Sequence, residues 1–418
     1  MERKTGCHQL DHTLSRRGFL AAGTAAGAVG LTHHSVAREL ETTQKRVLQV
    51  YLQGGVSQLE SWDPKPGTRY GGPFRAIPTA VPGMHISELL PHCAQRMDRL
   101  SIIRGINLKT NSHHDGRLFM EMGRRSGKFP YVGSVAAKYL TPDNAPLPGY
   151  LHVTTRGLTD YTNAFLDAKY AQLKLAGPQV PANLSRPKSV TDASATRSRE
   201  LLRRLNKRFS GRGGQTSFTD SYNASFEMAE KLMARRELFE GEPSGKELDR
   251  YGRHPFARNC LLAKTLLENG GTVVKVTHHG YDTHAENFNF HLEQLGEFDK
   301  TFCMLLDDLE DSGMLDSTLV MIYSEFGRTP KINVRYGRDH WGTAWSIALG
   351  GHGLVPGAIV GATNKQGTAV SEREVDGGHL FHTYFRALGI DSSEYHTLDG
   401  RKVPIGDPAR QPIEELLA

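Results

Sequence analysis

Four short stretches of this 418-residue chain gather imidazole, carboxylate and guanidinium groups. They are Asn111-Ser112-His113-His114-Asp115-Gly116-Arg117, the run from His278 to Asn287, Ser324-Glu325-Phe326-Gly327-Arg328-Thr329, and Gly337-Arg338-Asp339-His340-Trp341. Imidazole nitrogen and carboxylate oxygen are donors for zinc, manganese or calcium, and guanidinium matches the oxygens of a phosphate or sulfate. Any one stretch alone reads as a hydrogen-bonded turn; several at one sheet edge read as a shared metal or anion site. Arg117 and Arg328 are the natural anion clamps. Of His278 and His279, only one can face a cleft if the preceding strand continues through them. Ser57, Gln58 and Trp62 follow the first strand and are expected to line the cleft.

The elements around these stretches specify an α/β fold. Arg46–Gln53 is an apolar run ending in Gly54-Gly55 and reads as a buried first strand, and Leu100–Arg104 as another. Thr272–Thr277 is a β-branched strand. Phe288, Leu292, Leu295, Phe298, Phe302, Leu305 and Leu309 then recur at three- and four-residue spacing, the mark of an amphipathic helix. Gly313 ends it, and Thr318–Tyr323 is the next strand. Strand, long helix and strand make a βαβ unit, which implies a mostly parallel central sheet flanked by helices. Ser346–Leu349 reads as a further strand, and His379–Leu388 as a late helix. Open sheets of this kind bind ligands beyond the carboxyl ends of their strands, where the polar stretches lie. The segment from about 141 to 214 is polar, with weak periodicity, and reads as a surface insertion.

The first 37 residues read as a signal peptide. Ser15-Arg16-Arg17-Gly18-Phe19-Leu20 is followed by the Gly/Ala-rich stretch Ala21–Leu31, and Ser35-Val36-Ala37 offers small residues for cleavage. The paired arginines resemble the twin-arginine signal. They imply passage through that translocon to the periplasm or the exterior, with residues 38–418 as the mature domain. No later stretch approaches the roughly 20 apolar residues of a bilayer span. The formal charge of +6 is modest, partly carried by the leader, and no basic run of the nucleic-acid kind stands out. Cys7, Cys93, Cys260 and Cys303 are scattered without a CxxC pair, so neither a Cys-based zinc site nor a disulfide framework is expected.

GGVSQLESWDPKP, SHHDGR, YDTHAENF, SEFGRTP and GRDHW, in that order behind such a leader, resemble domain-of-unknown-function family 1501. The resemblance spans essentially the whole mature chain and implies an alkaline phosphatase-like fold, shared with sulfatases and phosphoglycerate mutases. It implies metal ligands at Asp282, His284 and His340, with Glu325 as a ligand or base. Gln53 stands where that superfamily has a metal-binding Asp, and Phe326 where it has a His. Laid on the sulfatase nucleophile pattern, His113 or Ser112 falls at the attacking position and Arg117 at the arginine; Arg328, Ser57, His278, His279 and Asp339 complete the cleft. The implied activity is metal-dependent hydrolysis of a phosphate or sulfate ester, with a small ester or a carbohydrate as ligand and no nucleotide or organic cofactor. The departures at Gln53 and Phe326 equally allow a non-catalytic binding protein of the same fold, working with periplasmic partners.

Overall fold

The computed structural model describes residues 44–418, apart from 156–161, 178–183, 185, 186, 188, 215, 216 and 399. The proposed signal peptide lies outside the described residues. Gln44–Ala418 form one compact unit.

Eight strands build the central sheet. In chain order they are β1 (Arg46–Leu52), β2 (Leu100–Ile106), β3 (Tyr150–Thr154), β4 (Leu173–Ala176), β5 (Val273–His278), β6 (Thr318–Tyr323), β7 (Trp345–Gly351) and β8 (Ile359–Val360). Their spatial order is β8-β2-β7-β6-β1-β5-β3-β4. β1 pairs in parallel with β5 on one side and β6 on the other. Only β7 runs against its neighbours, β6 and β2. The α/β fold class with a mostly parallel sheet therefore holds.

The principal helices are α1 (His113–Met122), α2 (Asp192–Ser210), α3 (Ser217–Ala234), α4 (Pro255–Glu268), α5 (Asn287–Asp311) and α6 (Gly377–Leu388). Alternate side chains of a strand point to opposite faces. Accordingly Leu48, Val50 and Leu52 of β1 join one apolar core with α4 and α5, while Val47 and Tyr51 join a second with α1 and α6. Helices cover both faces, so β1 is buried along its whole length and apolar at every position but Arg46 and Gln49. The strand and helix readings of the last third match the observed elements to within one or two residues, the late helix starting at Gly377 in place of His379.

The segment read as a surface insertion needs correction. β3 and β4 lie inside it and form one edge of the sheet. Each is only four or five residues long, and β3 follows a Pro/Gly-rich run, so neither carries enough alternation to stand out in sequence. No described helix is long and apolar enough to cross a membrane.

The loop after β1 is fixed by a buried ion pair. Arg338 donates from Nη2 and Nε to the two Glu60 carboxylate oxygens at 2.8 and 3.0 Å, and neither side chain is exposed. Asn287 at the start of α5 donates to the same carboxylate at 3.0 Å. Burial alone would raise the Glu60 carboxyl, but Arg338 holds it below its ordinary value. Breaking such a pair from one side strands a charge in the core. Arg338→Met should therefore lower unfolding free energy by about 3–5 kcal/mol in chemical denaturation, and Glu60→Leu in the same chain should recover most of it.

Candidate metal centre and anion cleft

The carboxyl ends of β1, β5 and β6 meet at one place. Gly54 follows β1 with φ of 119°, and a Cβ there would sit 2.4 Å from the Asp282 backbone nitrogen. Only glycine lets this loop approach so closely. Gly337 serves the same purpose on the other side, where a Cβ would lie 2.1 Å from the His284 carbonyl carbon. These two contacts bring the loop after β5 against both the loop after β1 and the antiparallel hairpin Gly327–Ile332/Arg338–Trp341.

Four side chains converge there. His113 Nε2 lies 3.3 Å from Asp282 Oδ2, and the Nε2 atoms of His284 and His340 each lie 3.1 Å from Asp282 Oδ1. The two latter nitrogens are 2.8 Å apart. His113, Asp282 and His340 form a group whose donor atoms all fall within 4.8 Å of one another.

What lies behind each imidazole determines which nitrogen faces inward. His113 Nδ1 donates to Glu325 Oε1 at 2.7 Å, His284 Nδ1 to Asp339 Oδ1 at 2.7 Å, and His340 Nδ1 to the Asn111 carbonyl at 2.8 Å. Each acceptor is a carboxylate or a carbonyl, so each Nδ1 carries the hydrogen. Every neutral ring then turns its Nε2 lone pair to the centre, the arrangement of metal-bound histidines backed by outer hydrogen bonds. Lone pairs 2.8 Å apart repel, so the cluster requires positive charge between its members, as protons or as a metal ion. Three imidazoles and a carboxylate suit zinc or manganese.

Hydrogen bonds from His113 to Asp282 and Glu325 push its pKa up to about 9 in the metal-free chain. Burial acts to raise the Asp282 carboxyl, yet hydrogen bonds from His113, His340 and Arg328 hold it far below its ordinary value. Glu325 is buried too, and bonds from His113 and Tyr51 likewise outweigh the burial and keep it ionised.

Several expected roles change. Glu325 stands behind His113 rather than at the centre, accepting from Tyr51 Oη at 2.9 Å and the Gly54 amide at 3.0 Å. Arg328 is fully buried; it donates to Asp282 Oδ1 at 2.6 Å, to the Gly55 and Arg338 carbonyls and to the Gly54 carbonyl. It holds a carboxylate in place of a substrate anion. Asp339 orients His284 and does not line the cleft. Ser112 caps α1 by accepting from the Asp115 amide at 3.3 Å, and is not among the cleft residues. Ser57 and Gln58 are buried beneath the loop, Gln58 bracing both backbone groups of Arg328. Trp62 packs in the core against Phe298. His278 is buried against Phe256, bonded to Tyr281 and Glu297, and burial lowers its pKa.

The cleft beside the cluster has a volume of about 560 Å³ and is lined by Tyr51, Gln53, Gly54, His113, His114, Arg117, His279, Gly280, Asp282 and Glu325. Gln53, Arg117 and His279 therefore face it, and of the two adjacent histidines it is His279 that does. Phe326 packs under the rings of His113 and His340, at 4.8 and 4.5 Å between centroids. It is a platform for the imidazoles where the resemblance has a ligand.

Residues 44–417 match the family described as "Protein of unknown function (DUF1501)". The chain belongs to that family. No curated protein matches it. Solved structures similar to it include the lipoteichoic acid synthase LtaP from Listeria monocytogenes, at 10% identity and TM-score 0.38, covering 88% of this chain and 75% of that one. The alkaline phosphatase of the Antarctic bacterium TAB5 is similar at 12% identity and TM-score 0.36, covering 84% and 99%. A phosphonate monoester hydrolase from Silicibacter pomeroyi is similar at 12% identity and TM-score 0.38, covering 84% and 74%. In this DUF1501 chain the site rests on its own geometry.

Sequence reading missed the buried layer beneath the cleft. Lys275 of β5 is ion-paired with Glu121 of α1, and Tyr323 donates to the same carboxylate at 2.6 Å. A lysine inside the strand TVVKVT was the available signal.

The raised His113 pKa has a consequence for the metal-free protein. Unfolded histidine titrates near 6.5, the folded one near 9, so the folded state binds more protons between these values. Its stabilisation is complete below 6.5 and is lost as pH rises through 9. Asp282 contributes with the opposite sense: its share is present above 3.8 and lost as pH falls. With the His113 side chain 40% exposed, chelator-treated protein should lose about 1–2 kcal/mol between pH 6.5 and 9, after allowance for solvent screening. His113→Asn should flatten that slope in thermal or denaturant unfolding; an unchanged slope would place its origin elsewhere.

Proposed function

We propose that this DUF1501 protein is exported by the twin-arginine pathway and hydrolyses a phosphate or sulfate ester with one divalent cation. The observation that carries this reading is the inward convergence of three Nε2 lone pairs on Asp282, each ring anchored behind by an acceptor at Nδ1. His113, Asp282, His284 and His340 would hold the ion, zinc or manganese on donor chemistry. When bound, such an ion polarises an ester oxygen and lowers the pKa of water. Export and periplasmic location rest on the leader sequence alone.

The chain's own groups do the rest. Gln53, Arg117 and His279 present donors along the cleft for the remaining oxygens of the anion. Arg328 and the three outer acceptors keep the four ligand side chains from reorienting, so no rearrangement is needed when the ester binds. Among the described cleft residues there is no serine, threonine or cysteine, and the Tyr51 hydroxyl is raised by burial and by Glu325. Water is therefore the attacking group in this reading. His114, which lines the cleft outside the ligand cluster, accepts its proton.

The lack of a side-chain nucleophile also favours a second reading, in which the cleft binds an anionic partner without turning it over. Elemental analysis of the purified protein beside Asp282→Ala/His340→Ala separates the outcomes. One equivalent of metal in the wild type, absent in the double variant, is expected. Turnover of aryl phosphate or sulfate esters should then fall by about 10²–10⁴ in His114→Ala with metal content unchanged. Metal without any turnover would select the binding reading; no metal after reconstitution would overturn both the ion and the hydrolase.

A further inference from the structure

We propose that the helical hairpin α2–α3 is a docking surface for an anionic lipid membrane. No residue of α2 is buried, whereas α3 buries Ala224, Met228 and Leu232. α2 carries Arg197, Arg199, Arg203, Arg204, Lys207 and Arg208 against only Asp192 and Glu200. One of its faces is occupied: Asn206 donates to Asn223 of α3 at 2.7 Å, and Arg199 pairs with Glu230 at 3.4 Å. The adjoining face is open. Leu201, Leu205 and Phe209 stand four residues apart along it and are 58%, 51% and 52% exposed. Tyr222 of α3, 58% exposed, lines a small cavity together with Phe209 and extends the patch.

Four-residue spacing places these three side chains in one row about 12 Å long. Arg197, Arg204 and Arg208 lie three or four positions from Leu201 and Leu205, and so flank the row. An apolar row beside a row of guanidinium groups is the pattern of helices that lie in a bilayer interface, side chains among the acyl chains and charges at the phosphates. A second copy of the chain is less suited, because a two-fold contact on this row would oppose like charges. Nucleic acid would satisfy the arginines and leave the leucines in water. No residue of this face lines the cleft, and the proposal is independent of the cleft's chemistry.

The test is co-sedimentation of the full chain with vesicles of phosphatidylglycerol and phosphatidylcholine, or of phosphatidylcholine alone. Residues 1–43 are common to every variant, so the differences among variants report on α2. Wild type should prefer the anionic vesicles. Arg197→Gln/Arg204→Gln/Arg208→Gln should weaken that binding by about a hundredfold, at roughly fivefold per charge. Leu201→Gln/Leu205→Gln/Phe209→Gln should weaken it by about tenfold or more. Both triple variants change exposed positions and should unfold at the wild-type temperature. Equal sedimentation of all three proteins, or none with either vesicle, would overturn the proposal. So would a dimer in analytical ultracentrifugation that the apolar variant abolishes, or retention of duplex DNA by the wild type without vesicle binding.

Discussion

Neutral imidazoles whose Nδ1 hydrogens are engaged behind them cannot bring two Nε2 lone pairs to 2.8 Å unless positive charge lies between them. That constraint governs the site of this protein. Glu325, Asp339 and the Asn111 carbonyl fix the three rings from behind, and Arg328 fixes the carboxylate on which they converge. Metal-free, protons hold the cluster, and the hydrogen bonds of His113 to Asp282 and Glu325 raise its pKa. With a cation in place the same outer hydrogen bonds become the second layer of a metal site. Taking up metal must then release protons, and affinity must fall with pH.

The fold exists to deliver these groups to one point. Parallel strands β5 and β6 flank β1, and three loops leave the same edge of the sheet. The loops differ in length and direction, yet Gly54 and Gly337 let them pack backbone to backbone, and the Arg338–Glu60 pair welds the hairpin to the loop after β1. Such a pair contributes more to fixing one arrangement than to net stability, since its desolvation offsets most of its attraction.

Much of this was legible in the sequence. The strands of the last third and the long helix between them follow from period and composition alone, because α5 is amphipathic over its full length, β5 is rich in valine and β6 is apolar in most positions. Asp282 and His284 follow the carboxyl end of β5, where an α/β sheet places its ligands, and His340 comes to them from the hairpin after β6. The division of labour was not legible. Glu325, expected as a ligand or base, backs His113 instead, because depth below the surface, which decides whether a carboxylate touches a ligand or backs an imidazole, leaves no trace in residue order. Arg328 likewise cannot be recognised as buried from a run as polar as SEFGRTP. β3 and β4 are short and sit at the sheet edge, where few neighbours impose an apolar pattern.

The most direct test of the central claim is anomalous diffraction from crystals grown with zinc or manganese, recorded at and below the metal's absorption edge. A single strong peak among His113 Nε2, Asp282, His284 Nε2 and His340 Nε2, with the Nδ1 contacts to Glu325, Asp339 and Asn111 intact, is the predicted result. An empty cluster in crystals whose peak lies elsewhere, such as beside the buried Cys93, Asp299 and Cys303, would contradict it.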